Sequence, residues 1–129
     1  MSQSRRASRR AALFMLFQWD VTGQDLGSTY EGEVDDFAWE TARAVAERAD
    51  HLDRRIDEAT EGWPADRLGA VERNVLRLAI HELEQGEIPP EVAIDEGVRF
   101  AKRYASDEAG RLVNGILGRI AREEARERS

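Results

Sequence analysis

Apolar positions recur along most of the chain at spacings of three and four. No stretch alternates apolar and polar residues for long enough to make a strand. The pattern therefore predicts an all-α protein. Leu13, Leu16, Phe17 and Val21 mark a first helix over about residues 4–23. Gly23, Gly27 and Gly32 punctuate the loop after it. Phe37, Ala38, Thr41, Val45, Ala49, Leu52 and Ile56 carry a second helical region over about 34–62. Asp50-His51-Leu52-Asp53 offers a cap for a new helix inside that region. The clearest boundary is Trp63-Pro64-Ala65-Asp66, because a proline forces the residue before it out of helical geometry.

Beyond it, Val71, Val75, Leu76, Leu78, Ala79, Ile80 and Leu83 fill about half of a helical wheel, the mark of a heavily buried central helix. Gly86 ends that helix, and Pro89-Pro90 delays the next to about residues 90–104. This one is amphipathic. Ala93, Ile94, Gly97, Val98, Phe100, Ala101 and Tyr104 lie on one side, and Glu91, Asp95, Glu96, Arg99, Lys102 and Arg103 on the other. Asp95 and Arg99 stand at i, i+4, where an ion pair is expected. Ser106-Asp107-Glu108 opens a last helix with a stripe of Leu112, Val113, Ile116, Leu117 and Ile120, and residues 122–129 read as its fraying end. The prediction is one domain over 1–129, built as two small packed helical bundles of about six to seven helices in all, with halves 1–62 and 63–129.

Composition narrows the chemistry. The 129 residues include no cysteine and two histidines, which argues against a disulfide scaffold, thiol catalysis and a structural zinc site. His51 and His81 stand apart, and no phosphate-binding glycine loop or His-Glu-x-x-His motif is present. No metal, cofactor or catalytic residue is predicted, so the chain reads as a non-enzyme. No apolar run reaches membrane-spanning length. Ala11 to Phe17 is too short for a secretion signal and no cleavage site follows it, so a cytoplasmic location is expected.

The net charge of -7 first suggests that nucleic acid is not a partner, but it is unevenly spread. Residues 1–10 carry four arginines and no acid. Residues 11–62 carry four arginines against thirteen carboxylates, and residues 63–129 eleven cations against thirteen. The cationic start is the segment suited to RNA, since guanidinium groups fork onto phosphates and stack on bases. Arg5, Arg6, Arg9 and Arg10 span an arc of about 140° on a helical wheel, which Leu13, Leu16 and Phe17 continue as an apolar face. This predicts first turns that either project past the body or order on a partner. Two carboxylates, Glu72 and Glu82, fall inside the apolar arc of the central helix. The helix dipole accounts for Glu72 in the first turn. Glu82 needs either an internal arginine or another protein. Finally, Gly110, Gly115 and Gly118 sit in one helix, where close packing would explain their cost.

Several segments, taken in order, resemble the NusB family of bacterial transcription antitermination factors. They are Arg9-Arg10-Ala11-Ala12-Leu13 with Leu16-Phe17-Gln18-Trp19-Asp20; Trp63 with Arg67-Leu68; and Val71-Glu72-Arg73-Asn74-Val75-Leu76-Arg77-Leu78-Ala79. Ile88-Pro89-Pro90-Glu91-Val92-Ala93-Ile94-Asp95-Glu96, Ala101-Lys102-Arg103-Tyr104 and Val113-Asn114-Gly115-Ile116-Leu117 complete the set. Asp95 and Gly97 depart from the usual asparagine and alanine. The resemblance implies two three-helix bundles and no enzymatic activity. It implies binding of the boxA element of nascent ribosomal RNA transcripts together with NusE, a ribosomal small-subunit protein. It also implies assembly with the elongating RNA polymerase and other Nus factors. RNA contacts then fall on Arg5, Arg6, Arg9 and Arg10, on Lys102 and Arg103, and on Asp107, Glu108, Arg111 and Asn114, and Glu82 is a candidate contact to a protein partner. Some relatives dimerise, so a homodimer stays open. So do two other readings: a purely protein-binding helical module, and a fragment of a ribosomal RNA cytosine methyltransferase that carries a NusB-like domain.

Overall fold

The computed structural model describes residues 5–26, 28, 34–60 and 65–128. Among them are six α-helices, one 3-10 turn (Ala65–Arg67) and no strand. The helices are α1 (Arg5–Thr22), α2 (Asp36–Glu47), α3 (Ala49–Thr60), α4 (Ala70–Gln85), α5 (Pro90–Tyr104) and α6 (Asp107–Arg128). The all-α expectation holds. Ser4, Gly27, Gly32, Trp63 and Pro64, all used to place boundaries from the sequence, lie outside the described residues.

The helix ends follow local chemistry. Asp35 caps α2, its Oδ1 accepting from the Ala38 amide at 2.8 Å. The break between α2 and α3 falls at Arg48, two residues before the expected one. Glu72, at the third position of α4, folds its carboxylate back over the capping Gly69, within 2.9 Å of where a Cβ there would stand. Gly86 closes α4 at φ +70°, a conformation that disfavours a side chain. Ser106 Oγ accepts from the Ala109 amide at 3.0 Å and so starts α6.

Helix α4 is the axis, packing against all five other helices. Leu76 and Ile80 are fully buried on it, with Met15 and Leu16 from α1, Val45 from α2, Leu52 and Ile56 from α3, and Val113, Leu117 and Ile120 from α6. Two apolar positions depart from the sequence reading. Val21 is 57% exposed and Leu112 40% exposed, so the inward stripe of α6 is Ala109, Val113, Ile116, Leu117 and Ile120, and continues to the buried Glu124. The end of α6 does not fray: Arg128 donates to the carbonyls of Leu83 and Glu84 at 3.1 and 2.9 Å, covering the C-terminal end of α4.

Ion pairs tie the helices across the core margin. Arg77 grips Asp53 of α3 through Nε and Nη2, both at 2.8 Å. Arg73 and Asn74 donate to Asp20 of α1 at 2.8 and 2.9 Å. Glu84 accepts from Arg48, from His51 at 2.7 Å and from Arg55 at 2.9 Å. Burial alone would raise the Glu84 carboxyl, but these three donors outweigh it and hold its pKa down at about 2.

Candidate nucleic-acid interface

Helix α1 delivers its four arginines to different surroundings. The Arg5 guanidinium sits 3.8 Å from the centre of the Phe37 ring. Arg6 reaches Glu96 of α5 at 3.2 Å and stays 56% exposed at its side chain. Arg9 turns inward and donates from Nε to Glu82 Oε2 at 2.7 Å. Arg10 is exposed. The difference is rotational. Arg9 lies four residues before Leu13 and seven before Leu16, both buried, so it shares their stripe.

This corrects one expectation and decides between two readings of another residue. The arginine-bearing turns do not project past the body. Besides the contacts of Arg5, Arg6 and Arg9, Ser8 is buried and donates to Asp35 Oδ2 at 2.7 Å. That hydrogen bond, with the Ala38 amide, holds the Asp35 carboxyl below its ordinary range. Second, of the two readings left open for Glu82 the internal arginine is the one the structure shows: Glu82 pairs with Arg9, with side-chain exposures of 12% and 11%. Burial pushes the Glu82 carboxyl up, and the Arg9 guanidinium pulls against it. Arg9 is thereby withdrawn from the outer surface as an RNA contact in this conformation.

The remaining arginines converge. Helices α1, α4 and α5 enclose a cleft of about 300 Å³ lined by Arg6, Arg10, Arg99 and Arg103, over buried Leu13, Val75, Leu78, Ala79 and Ala93. Phe100 and Tyr104 also line it, and both contact Phe14, with ring centres 5.8 and 5.3 Å away. The Arg103 guanidinium lies 5.5 Å from the Tyr104 ring. Arg99 was missed by the sequence reading, which gave it to Asp95. No Asp95–Arg99 ion pair forms among the described residues. The available signal was the i, i+4 pair Arg99 and Arg103 running beside the i, i+4 pair Phe100 and Tyr104.

The other expected positions lie elsewhere. Asp107, Glu108, Arg111 and Asn114 are exposed on the first two turns of α6. Glu108 and Arg111 line a second, wider groove of about 710 Å³ beside Arg67, Leu112 and Gly115. Lys102 is exposed, and its stem crosses Gly110 so closely that a Cβ there would stand 2.5 Å from Lys102 Cγ. Lys102, Asp107 and Asn114 line neither cavity. The close packing expected of the three α6 glycines is found at Gly110 alone; Gly118 has only an ordinary contact, with Arg122 at 3.5 Å. Gly110 admits the lysine stem, whereas Gly115 is exposed with nothing near its missing Cβ.

A family model described as "NusB family" matches residues 6–122. The chain belongs to the NusB family. A transcription antitermination protein NusB from Rubrobacter xylanophilus is 42% identical over 121 residues, covering 88% of this chain and 87% of the relative. One from Desulfitobacterium hafniense is 39% identical, with coverage of 91% and 87%. Among solved structures, T. maritima NusB superposes with a TM-score of 0.84 at 39% identity, covering 95% of this chain and 94% of that one. A complex of antitermination factors NusB and NusE with double-stranded RNA gives 0.79 at 28% identity, with coverage of 95% and 99%. Solved NusB-family relatives thus include one bound at once to RNA and to NusE.

Proposed function

We propose that this chain is a transcription antitermination factor that binds boxA RNA of nascent ribosomal RNA transcripts together with NusE. In this reading it acts in the cytoplasm as a non-enzymatic scaffold and joins the elongating RNA polymerase with other Nus factors. The observation that carries the reading is the arginine cleft of α1 and α5, a concentration of positive charge on a chain that is otherwise acidic. Phosphate neutralisation supplies most non-specific affinity for nucleic acid, so a local cationic surface decides where a strand lies. Arg5, Arg6, Arg10, Lys102, Arg103 and Arg111 serve as phosphate or base contacts. Asn114 and the carboxylates Asp107 and Glu108 suit base edges, where carboxylates accept from amino groups. Arg9 acts indirectly, holding α1 against α4. The acidic remainder of the surface discourages indiscriminate binding, and a second contact through NusE supplies avidity.

The test is a titration of labelled boxA RNA, with and without NusE, at several salt concentrations. Replacing Arg6, Arg10 and Arg103 by alanine should weaken binding and flatten its salt dependence, by about 0.7 in the log–log slope for each phosphate no longer neutralised. Circular dichroism should report an unchanged fold. Affinity and slope equal to the wild type would overturn the site. No RNA binding with NusE bound would favour a purely protein-binding module.

A further inference from the structure

We infer that the cleft between α1, α4 and α5 is a pocket for a single unpaired nucleotide, its phosphate held by Arg10, Arg99 and Arg103 and its base set against the apolar floor and Tyr104. The inference deepens the RNA-binding reading and rests on it for the source of the nucleotide.

The cleft carries a net positive charge. Of the five arginines that line the cleft, Arg9 is neutralised by Glu82 and Arg6 by Glu96. Arg10, Arg99 and Arg103 form no ion pair among the described residues, so three positive charges stand unbalanced around one cavity. They come from two helices whose relative position the Arg6–Glu96 contact helps fix, so the site is largely pre-formed. Guanidinium forks suit a phosphate with several acceptor oxygens.

The size and lining of the cleft also suit a nucleotide. About 300 Å³ falls at the small end of ligand pockets: room for one nucleotide, not for a base pair. The floor is apolar and buried at Leu13, Leu78, Ala79 and Ala93, which accommodates a flat heterocycle but leaves a bare anion's surroundings half unused. Tyr104 is 38% exposed and flanked by Arg103, an aromatic face and a guanidinium together at the cleft. That combination is how single-stranded bases are stacked without reading their sequence.

The same chemistry can be presented by a nucleotide within an RNA strand or by a free nucleoside monophosphate, and two arms separate them. In the first, the full chain is titrated with AMP, CMP, GMP, UMP and inorganic phosphate by amide NMR. In the second, a boxA RNA is scanned with single abasic substitutions, against wild type and Arg99→Ala. For a nucleotide within RNA, one abasic position should cost about tenfold in affinity, in line with the loss of stacking by one base, and Arg99→Ala should abolish that position's effect. For a free nucleotide, saturable shifts should cluster at residues 10–13 and 97–104, exceed those from inorganic phosphate, and disappear in Arg99→Ala. Either result supports the pocket. RNA binding with no privileged abasic position, together with no nucleotide shifts at the cleft, overturns the pocket and leaves the RNA reading intact. Nucleotide shifts at the cleft with no RNA binding would overturn the RNA reading and keep the pocket.

Discussion

Arg9 and Arg10 are neighbours in sequence with the same side chain, and the structure gives them opposite roles. Replacing Arg9 by alanine removes the Nε donor 2.7 Å from Glu82 Oε2 and strands a carboxylate whose side chain is 12% exposed. Removing one partner of a buried pair costs about 3–5 kcal/mol, because the surviving charge is left with little solvent and no counter-charge. Replacing exposed Arg10 should change stability by about 0.5 kcal/mol or less. With a urea m-value of about 2 kcal/mol/M, the Arg9→Ala midpoint should fall by about 2 M and that of Arg10→Ala should hardly move. Far-UV circular dichroism during urea titration reads both. Arg9→Met with Glu82→Leu should recover most of the loss, since apolar groups of similar size often replace a buried pair at little cost. The RNA titration should rank the two in reverse, with Arg10→Ala weakening binding while the fold persists. If Arg9→Ala proves no costlier than Arg10→Ala, then α1 is not clamped to α4 and the assignment of Arg9 to the interior is wrong.

Acid should loosen the network around Glu84. Its folded pKa of about 2 lies below the ordinary 4.5, so its stabilisation is fully present above about 4.5 and fades as pH falls toward 2. Linkage sets a ceiling of about 3 kcal/mol, which solvent screening at the core margin brings down to about 1–2 kcal/mol. Glu84→Gln should flatten this acid limb of the stability curve, measured by urea titration from about pH 7 to 2. Two of the three α6 glycines, Gly110 and Gly115, should respond to alanine with opposite signs. Gly110→Ala forces a methyl against the Lys102 stem and should lower the melting temperature. Gly115→Ala meets open space and should raise stability by about 1 kcal/mol through helix propensity. Arg77→Lys should destabilise more than an exposed Arg→Lys change, because lysine cannot reproduce the two-pronged grip on Asp53, which thermal melts would register.

Much of this fold is legible in the chain. The spacing of Val75, Leu76, Ala79, Ile80 and Leu83 marks α4 as the central buried element, and Gly86, Pro90 and Ser106 place three helix ends within a residue or so. Leu112 and Val21 fooled the same reasoning, because an apolar residue at helical spacing is buried only if another helix covers its sector. The site was half legible. Arg6, Arg10 and Arg103 could be named as cations, whereas the inclusion of Arg99 depends on how α5 is rotated against α1.

By itself, then, the sequence determined the helices, the identity of the central one, the concentration of arginine at the start and the absence of thiol chemistry, since each depends on residue type and spacing within a few turns. The tertiary structure alone decided which carboxylate meets the inward arginine. The Arg9–Glu82 pair joins residues 73 apart, and the three donors to Glu84 come from the α2–α3 junction and from α3. Such pairings follow from the crossing and relative rotation of packed helices, and no local spacing encodes them.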